Sequence, residues 1–204
     1  MNELVVATRN RGKLLEIRAM LTGVVASVLC AGDFTGFPDT VEDGVTFEEN
    51  ALKKAREAAR FSGLPALADD SGLVVDVLEG RPGVYSARFA GEGSGDAANN
   101  AKLLGELTGM PSEAKKAAFV CALAFVTPEG AEHVFTGRVV GRILDTARGE
   151  GGFGYDPLFL VEGFGRTMAE LGVDDKNRIS HRGQAFRLFC EFLQKRPQKR
   201  CDTP

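Results

Sequence analysis

Two adjacent carboxylates, Asp69 and Asp70, lie with Ser71 and Gly72 between an apolar segment (Leu64, Ala66, Leu67, Ala68) and a second one (Leu73, Val74, Val75). Carboxylate oxygens are hard ligands suited to a cation such as Mg²⁺. The pattern reads as strand, acidic corner, strand. A corner at the mouth of a sheet keeps the charges near water, whereas burial in mid-strand carries a heavy desolvation cost. A plain turn without a ligand fits the same residues, since Asp, Ser and Gly are the usual turn formers.

Three further stretches carry residue types with chemical use. Thr8-Arg9-Asn10-Arg11-Gly12-Lys13 follows the apolar run Leu4 to Ala7 and precedes Leu14, Ile17 and Leu21 at helical spacing. A helix beginning in such a turn offers free N–H groups and the positive end of its dipole, and the three cations beside it suit phosphate. The alternative is an ordinary cap, by Thr8 or Asn10, with solvated basic residues. No Walker A pattern is present.

In Gly149-Glu150-Gly151-Gly152-Phe153-Gly154-Tyr155-Asp156-Pro157 the glycines let backbone approach a flat ligand and the two rings could stack on a base. A glycine hinge with two core aromatics would look the same. Ile179-Ser180-His181-Arg182-Gly183 opens a helix in which Ser180 is the cap, leaving His181 and Arg182 in the first turn, where the dipole disfavours positive charge. A bound acceptor would explain them, with Lys176 close by.

The elements that must position these groups follow from periodicity. Thr46 and Glu49 form a capping box opening a helix with Phe47, Ala51, Ala55 and Ala58 on one face, and Glu42 sits on the loop ahead of it. Lys53, Lys54, Arg56 and Arg60 on that helix read mostly as a solvated face. Asp96 reads as the cap of a helix bearing Leu103, Leu104 and Leu107. Ala117 to Val126 is nearly all apolar, as in a central strand, and His133 to Leu144 alternates, so the two read as a long antiparallel hairpin.

Composition removes several classes of function. The 204 residues, 44% hydrophobic and 26% charged, describe an ordinary globular chain, and a net charge of −3 gives no support to a nucleic-acid-binding surface. Cys30, Cys121, Cys190 and Cys201 are widely spaced, which favours free thiols in a reducing, cytoplasmic setting over zinc. The N-terminus lacks a basic n-region and no run approaches a membrane span, so neither secretion nor membrane insertion is expected.

In order along the chain, these motifs closely resemble the inosine/xanthosine triphosphate pyrophosphatases, which hydrolyse non-standard purine nucleoside triphosphates to the monophosphate and pyrophosphate. The resemblance rests on Thr8 to Lys13, Glu42 to Phe47 with Glu49-Asn50-Ala51, Ala68 to Leu73, Pro82 to Arg88, Gly151 to Pro157 and Ile179 to Gly183. It implies an α/β fold, a long twisted mixed sheet with flanking helices and a cleft between two lobes. Residues 1–195 would form that single domain, 196–204 a disordered tail, and two chains a homodimer.

By the same resemblance, Thr8, Arg9, Asn10, Arg11, Gly12 and Lys13 hold the triphosphate with help from Ser71, and Glu42 and Asp70 bind Mg²⁺, with Asp70 as general base. Phe153, Gly154, Tyr155 and Asp156 cradle the base, Phe153 by stacking, while Lys176, His181 and Arg182 face its 6-position. Arg and Lys donors there would favour the 6-oxo group of inosine and xanthosine over the amino group of adenine. Two other readings stay open: a pyrophosphatase for a pyrimidine or modified nucleotide, and a nucleotide-sensing module without chemistry.

Overall fold

The computed structural model describes residues 1–195, apart from the side chain of Arg11, and the expected disordered tail at 196–204 lies outside those residues. Six strands form one mixed sheet in the order β2-β1-β3-β4-β5-β6. They are β1 (Glu3–Val6), β2 (Ser27–Cys30), β3 (Ala66–Val75), β4 (Lys116–Val126), β5 (Glu132–Ile143) and β6 (Phe159–Val161). The first three run parallel to one another, and each later pairing is antiparallel. The expected long hairpin is β4 with β5, whose register runs from Lys116 opposite Arg142 to Val126 opposite Glu132.

Among the described residues five α-helices flank the sheet: α1 (Arg11–Leu21), α2 (Phe47–Ser62), α3 (Asp96–Glu106), α4 (Val173–Ile179) and α5 (His181–Lys195). Strand alternation decides which helix covers which face. Leu4, Val6, Leu67, Leu123 and Phe125 meet Ile17 and Leu21 of α1 and Ala185, Phe186 and Phe189 of α5. Val5, Ala66, Ala68, Ala122 and Ala124 on the opposite face meet Ala51, Ala55, Ala58 and Ala59 of α2, and the small side chains let helix and sheet approach closely. Burying each of the large core side chains contributes about 1.5–3 kcal/mol. A third cluster, with Leu73, Phe119, Ile143, Tyr155 and Phe159, packs the far half of the sheet beside Leu103 and Leu107.

One detail of the topology opens the site. β1 pairs with β3 only through Val5 opposite Ala66 and Val6 opposite Leu67. Beyond Leu67 the edge of β3 toward β1 is therefore released, because the chain after β1 turns away into α1. Asp69 and Asp70 are the next residues but one and two along that edge, at the carboxyl end of the parallel strands, where open α/β sheets receive ligands.

Two sequence expectations need correction. β3 is continuous from Ala66 to Val75, and Asp69 and Asp70 lie in mid-strand, paired with Leu123 and Ala122, not in a corner. Cations from distant parts of the chain outweigh the desolvation that argued against this placement at Asp69 and only partly oppose it at Asp70. Nor does Asp96 cap α3: Gly95 does, and the Asp96 carboxylate accepts from the Gly154 amide at 2.6 Å.

Candidate active site

Because successive side chains of a strand point to opposite faces, the two carboxylates enter different surroundings on either side of β3. A cleft of about 390 Å³ reaches both, lined by the start of α1, the loop from Phe37 to Glu42, Asp69 to Gly72, Phe153 to Asp156, and Lys176, His181 and Arg182. That volume falls within the range of small-molecule sites.

Asp69 has a side chain with no exposure and gathers the cations of the α1–α5 face. Its Oδ2 lies 3.0 Å from Lys13 Nζ, accepts from Arg182 Nε at 3.3 Å and Nη2 at 3.2 Å, and accepts from Ser71 Oγ at 3.1 Å. Burial alone would push the Asp69 carboxyl up, but Lys13, Arg182 and Lys54 outweigh it and hold the group far below the ordinary carboxylate range. Its Oδ1 is buried without a partner among the described residues, an acceptor left for water or substrate. Arg182, only 2% exposed, also donates to Glu16 from Nη1 and to Ser71 Oγ at 3.0 Å from Nη2. These carboxylates sustain a positive charge in the first turn of α5, where the dipole opposes it. An internal partner, and not a ligand, answers that part of the sequence puzzle. Beside this network burial pushes the Cys121 thiol up to about 12, so it stays protonated.

Asp70 faces α2. Its Oδ1 lies 3.3 Å from Lys54 Nζ, and its Oδ2 accepts from Asn50 Nδ2 at 3.2 Å. Lys54 Nζ also reaches Glu42 Oε1 at 2.8 Å, so the two carboxylates expected to hold a metal converge on one ammonium group. Burial raises the pKa of Asp70, Lys54 and Lys13 oppose it, and the net shift is upward. For Lys54, burial works against the charge but Asp70 and Glu42 prevail, and its pKa is raised.

Fully buried Asn50 ties this side together. Its Nδ2 donates to Asp70 while its Oδ1 accepts from the Gly44 amide at 2.8 Å, coupling β3 to the loop that carries Glu42. A Cβ at Gly44 would stand 2.7 Å from that Oδ1 and 2.8 Å from Glu49 Cβ, so glycine is required for the close approach. From the other side of the cleft, Arg88 Nη2 donates to the Glu42 carbonyl at 3.2 Å. The donor set of two converging carboxylates suits Mg²⁺, which is held by one or two carboxylates together with substrate phosphates and water. No cluster of three or more His, Cys, Asp or Glu side chains positioned for a metal occurs among the described residues.

The N-terminal turn lines the cleft with Thr8, Arg9, Asn10 and Lys13. Asn10 is the cap of α1, its side chain accepting from the Lys13 amide at 3.0 Å, and Thr8 Oγ1 accepts from the Asn10 amide at 3.2 Å. Capping and a cationic helix start thus coexist. Arg9 leans outward to Asp39 at 3.1 Å and donates to the Phe37 carbonyl at 3.2 Å. Arg11 opens the helix, but its side chain lies outside the described part of the structure. Gly12 backs onto Phe153, whose ring would lie 2.9 Å from a Cβ there.

At the other end, the Phe153 ring has Lys176 Nζ 5.0 Å and Arg182 Cζ 5.7 Å from its centroid. Asp156 Oδ2 accepts from the Phe153 amide at 3.0 Å and from Lys176 Nζ at 2.7 Å, and Lys176 reaches Glu16 at 2.8 Å. Burial raises the Asp156 pKa despite the opposing pull of Lys176. The Gly154 backbone is clamped by α3, its amide on Asp96 and its carbonyl accepting from Asn100 Nδ2 at 3.0 Å. Tyr155 belongs to the core, its hydroxyl donating to the buried Ser86 carbonyl at 2.9 Å. His181 stacks on Phe119 at 5.0 Å and is buried, which together with nearby Arg182 lowers its pKa well below the ordinary value. It is neutral at pH 7, not the cation suggested by sequence, and its Nδ1 has no partner among the described residues.

The structure thus gathers Thr8, Arg9, Asn10, Lys13, Glu42, Asp70, Ser71, Phe153, Gly154, Tyr155, Asp156, Lys176, His181 and Arg182 around one cleft, with the Arg9 side chain paired to Asp39 and the Tyr155 hydroxyl to the Ser86 carbonyl. Sequence reading named Asp69 only as one of two carboxylates suited to a cation, and gave no individual role to Glu16, Asn50, Lys54 or Arg88. A signal existed for two of them: Asn50 and Lys54, four residues apart, share the helical face of Ala51, Ala55 and Ala58, where a polar residue is buried and needs a partner.

The sequence model of the Ham1 family matches residues 4–192. A dITP/XTP pyrophosphatase of Geobacter sulfurreducens is 58% identical over 193 residues, covering 95% of this chain and 97% of the relative. One of Desulforamulus reducens is 51% identical over 193 residues, covering 95% and 96%. Among solved structures, a HAM1 protein from Coxiella burnetii superposes with a TM-score of 0.87 at 41% identity, covering 96% of this chain and 100% of that one. A nucleoside-triphosphatase, dITP/XTP pyrophosphatase, from Mycobacterium abscessus gives 0.76 at 46% identity, covering 92% and 98%.

Proposed function

The chain belongs to the Ham1 family, and from that premise we propose that it hydrolyses non-standard purine nucleoside triphosphates (dITP, ITP and XTP) to the monophosphate and pyrophosphate. The observation that carries the reading is the convergence of Glu42 and Asp70 on Lys54 within one cleft that also holds Lys13 and Arg182. Oxygen ligands for a divalent cation, cations for a polyphosphate and an aromatic face for a base are there within reach of one nucleotide.

The triphosphate tail would lie across the α1 N-terminus, with Thr8, Asn10 and Lys13 as its donors and Ser71 beside them. Glu42 and Asp70 would hold Mg²⁺, which offsets phosphate charge when bound. Asp70, more basic than an exposed carboxylate because it is buried, takes a proton from the attacking water. The water oxygen bonds to the α-phosphorus, the α–β bridging bond breaks and pyrophosphate departs with the electron pair.

Phe153 would stack on the base while Lys176, Arg182 and the unpartnered Nδ1 of His181 face its 6-position. Carboxylates and Ser71 already occupy four guanidinium hydrogens of Arg182, through Nε, Nη1 and twice through Nη2. The donor left on Nη1 can meet a 6-oxo group and finds no acceptor in a 6-amino group.

Residues 1–195 are read as one domain of two lobes, supported by β3 and β4 contributing to the clusters on both sides of the cleft. No helix among the described residues is long and apolar enough to cross a membrane. The homodimer is part of the same proposal, and sedimentation velocity reads it directly. The test of function is pyrophosphate release with Mg²⁺ from ITP, dITP, XTP, GTP, ATP and dUTP. Preference for ITP, dITP and XTP is expected. A preference for dUTP would assign a pyrimidine substrate, and tight ITP binding without turnover would make the chain a sensing module.

A further inference from the structure

We propose that Lys54 is a built-in placeholder for the divalent cation, so that the free protein binds the metal weakly and the nucleotide, by drawing Lys54 away, opens the site. The inference rests on the reading of Glu42 and Asp70 as the metal carboxylates. Its basis is geometric. Lys54 Nζ stands 2.8 Å from Glu42 Oε1 and 3.3 Å from Asp70 Oδ1, bridging the two groups that would coordinate Mg²⁺. The lysine side chain is only 11% exposed, so it is held between them and does not sample solvent freely. One of its two partners is fixed from behind as well, since Asn50, one turn earlier on α2, holds Asp70 Oδ2.

An ammonium and a divalent cation cannot both occupy that gap. Magnesium requires oxygen atoms at about 2.0–2.1 Å in an octahedral arrangement, and two positive centres in one small space repel. Metal entry into the free protein must therefore displace Lys54 from both carboxylates. A triphosphate supplies acceptors, because Lys54 lines the same cleft and the tail is rich in anionic oxygen.

Among the described residues the other four cations facing the cleft are held in the same way: Lys13 lies 3.0 Å and Arg182 3.2 Å from Asp69, Lys176 2.7 Å from Asp156 and Arg9 3.1 Å from Asp39. The free cleft is thus internally neutralised, and arrival of the polyphosphate exchanges carboxylate partners for phosphate partners. Coupling of this kind is reciprocal: nucleotide raises affinity for metal and metal raises affinity for nucleotide by the same factor.

The experiment titrates Mn²⁺, followed by electron paramagnetic resonance and calorimetry, into the wild-type protein, Lys54→Met and Lys54→Gln, each alone and with an α,β-methylene analogue of ITP. If Lys54 occupies the gap at least about nine-tenths of the time, removing it tightens Mn²⁺ binding to the free protein roughly tenfold or more. The same tightening appears in the wild-type protein when the analogue is added, and shrinks in the variants. Mn²⁺ alone also raises the Tm of both variants more than that of the wild type. Should one variant not fold, the other and the wild-type titrations with and without analogue carry the comparison. Equal Mn²⁺ affinity in all free proteins, with no gain on adding the analogue, overturns the placeholder. Failure of every protein to bind Mn²⁺ with the analogue present, or binding unchanged by Glu42→Gln, instead overturns the metal site itself and the placeholder with it.

Discussion

Neighbouring carboxylates with opposite environments make an unusually sharp stability prediction. Asp69→Asn removes the negative charge that Lys13 and Arg182 share, in a place where Asp69 has no exposure and Arg182 only 2%. Breaking a buried pair by neutralising one partner costs roughly 3–5 kcal/mol. For a chain of this length each kcal/mol moves the Tm by about 2–4 °C, so a fall of roughly 6–20 °C is expected. Asp70→Asn acts the other way. Burial raises the pKa of Asp70, so its charged form is disfavoured by folding, and Lys54 keeps Glu42 as a partner when Asp70 is neutral. Its Tm at pH 7 should be unchanged or higher.

The pH dependence follows with opposite signs. The depressed pKa of Asp69 contributes stability that is present above the ordinary carboxylate value of about 4 and is lost as pH falls below it. The contribution of Asp70 is present below that value and is lost as pH rises through its raised folded pKa. Calorimetry between about pH 3 and 8 should therefore show the deficit of Asp69→Asn narrowing toward acid. An Asp69→Asn protein within about 2 °C of wild type at pH 7, or equal losses in both variants, would refute the assignment of these two environments.

Other perturbations test single contacts. Asn50→Ala leaves the Gly44 amide and Asp70 Oδ2 without their shared partner. It should lower stability by about 1–3 kcal/mol and reduce kcat more than it raises KM; an unaltered kcat would deny Asn50 its role in positioning Asp70. Phe153→Ala should weaken nucleotide binding by about 1–3 kcal/mol, roughly fivefold to a hundredfold in KM, because base stacking is lost; an unchanged KM for ITP would remove the ring from recognition. In heteronuclear NMR the His181 imidazole should stay neutral where an ordinary histidine takes up its proton, and a titration centred near 6.5 would contradict its buried, uncharged state.

Local signals in the sequence were read where local physics decides the outcome. The Thr46–Glu49 capping box and the β4–β5 hairpin depend on residues a few positions apart or on strict alternation and are found as expected, and of the two caps open for α1, Thr8 and Asn10, the chain uses Asn10. The placement of Asp69 and Asp70 was misjudged because its justification is non-local. Nothing near residue 69 in the chain announces that Lys13 and Arg182 will neutralise it. Glu16 was invisible for the same reason, since on α1 it looks like any charged helix residue until Lys176 and Arg182 arrive beside it. Lys54 was masked by Lys53, Arg56 and Arg60, which share its charge but not its helical face.

The position of bond cleavage bears most directly on the account, because a cleft that aligns the tail as described delivers water to the innermost phosphorus. Hydrolysis of ITP in water enriched with oxygen-18, with both products weighed by mass spectrometry, is expected to place the label in inosine monophosphate and leave pyrophosphate unlabelled. Label in the pyrophosphate, or release of orthophosphate in its place, would contradict it.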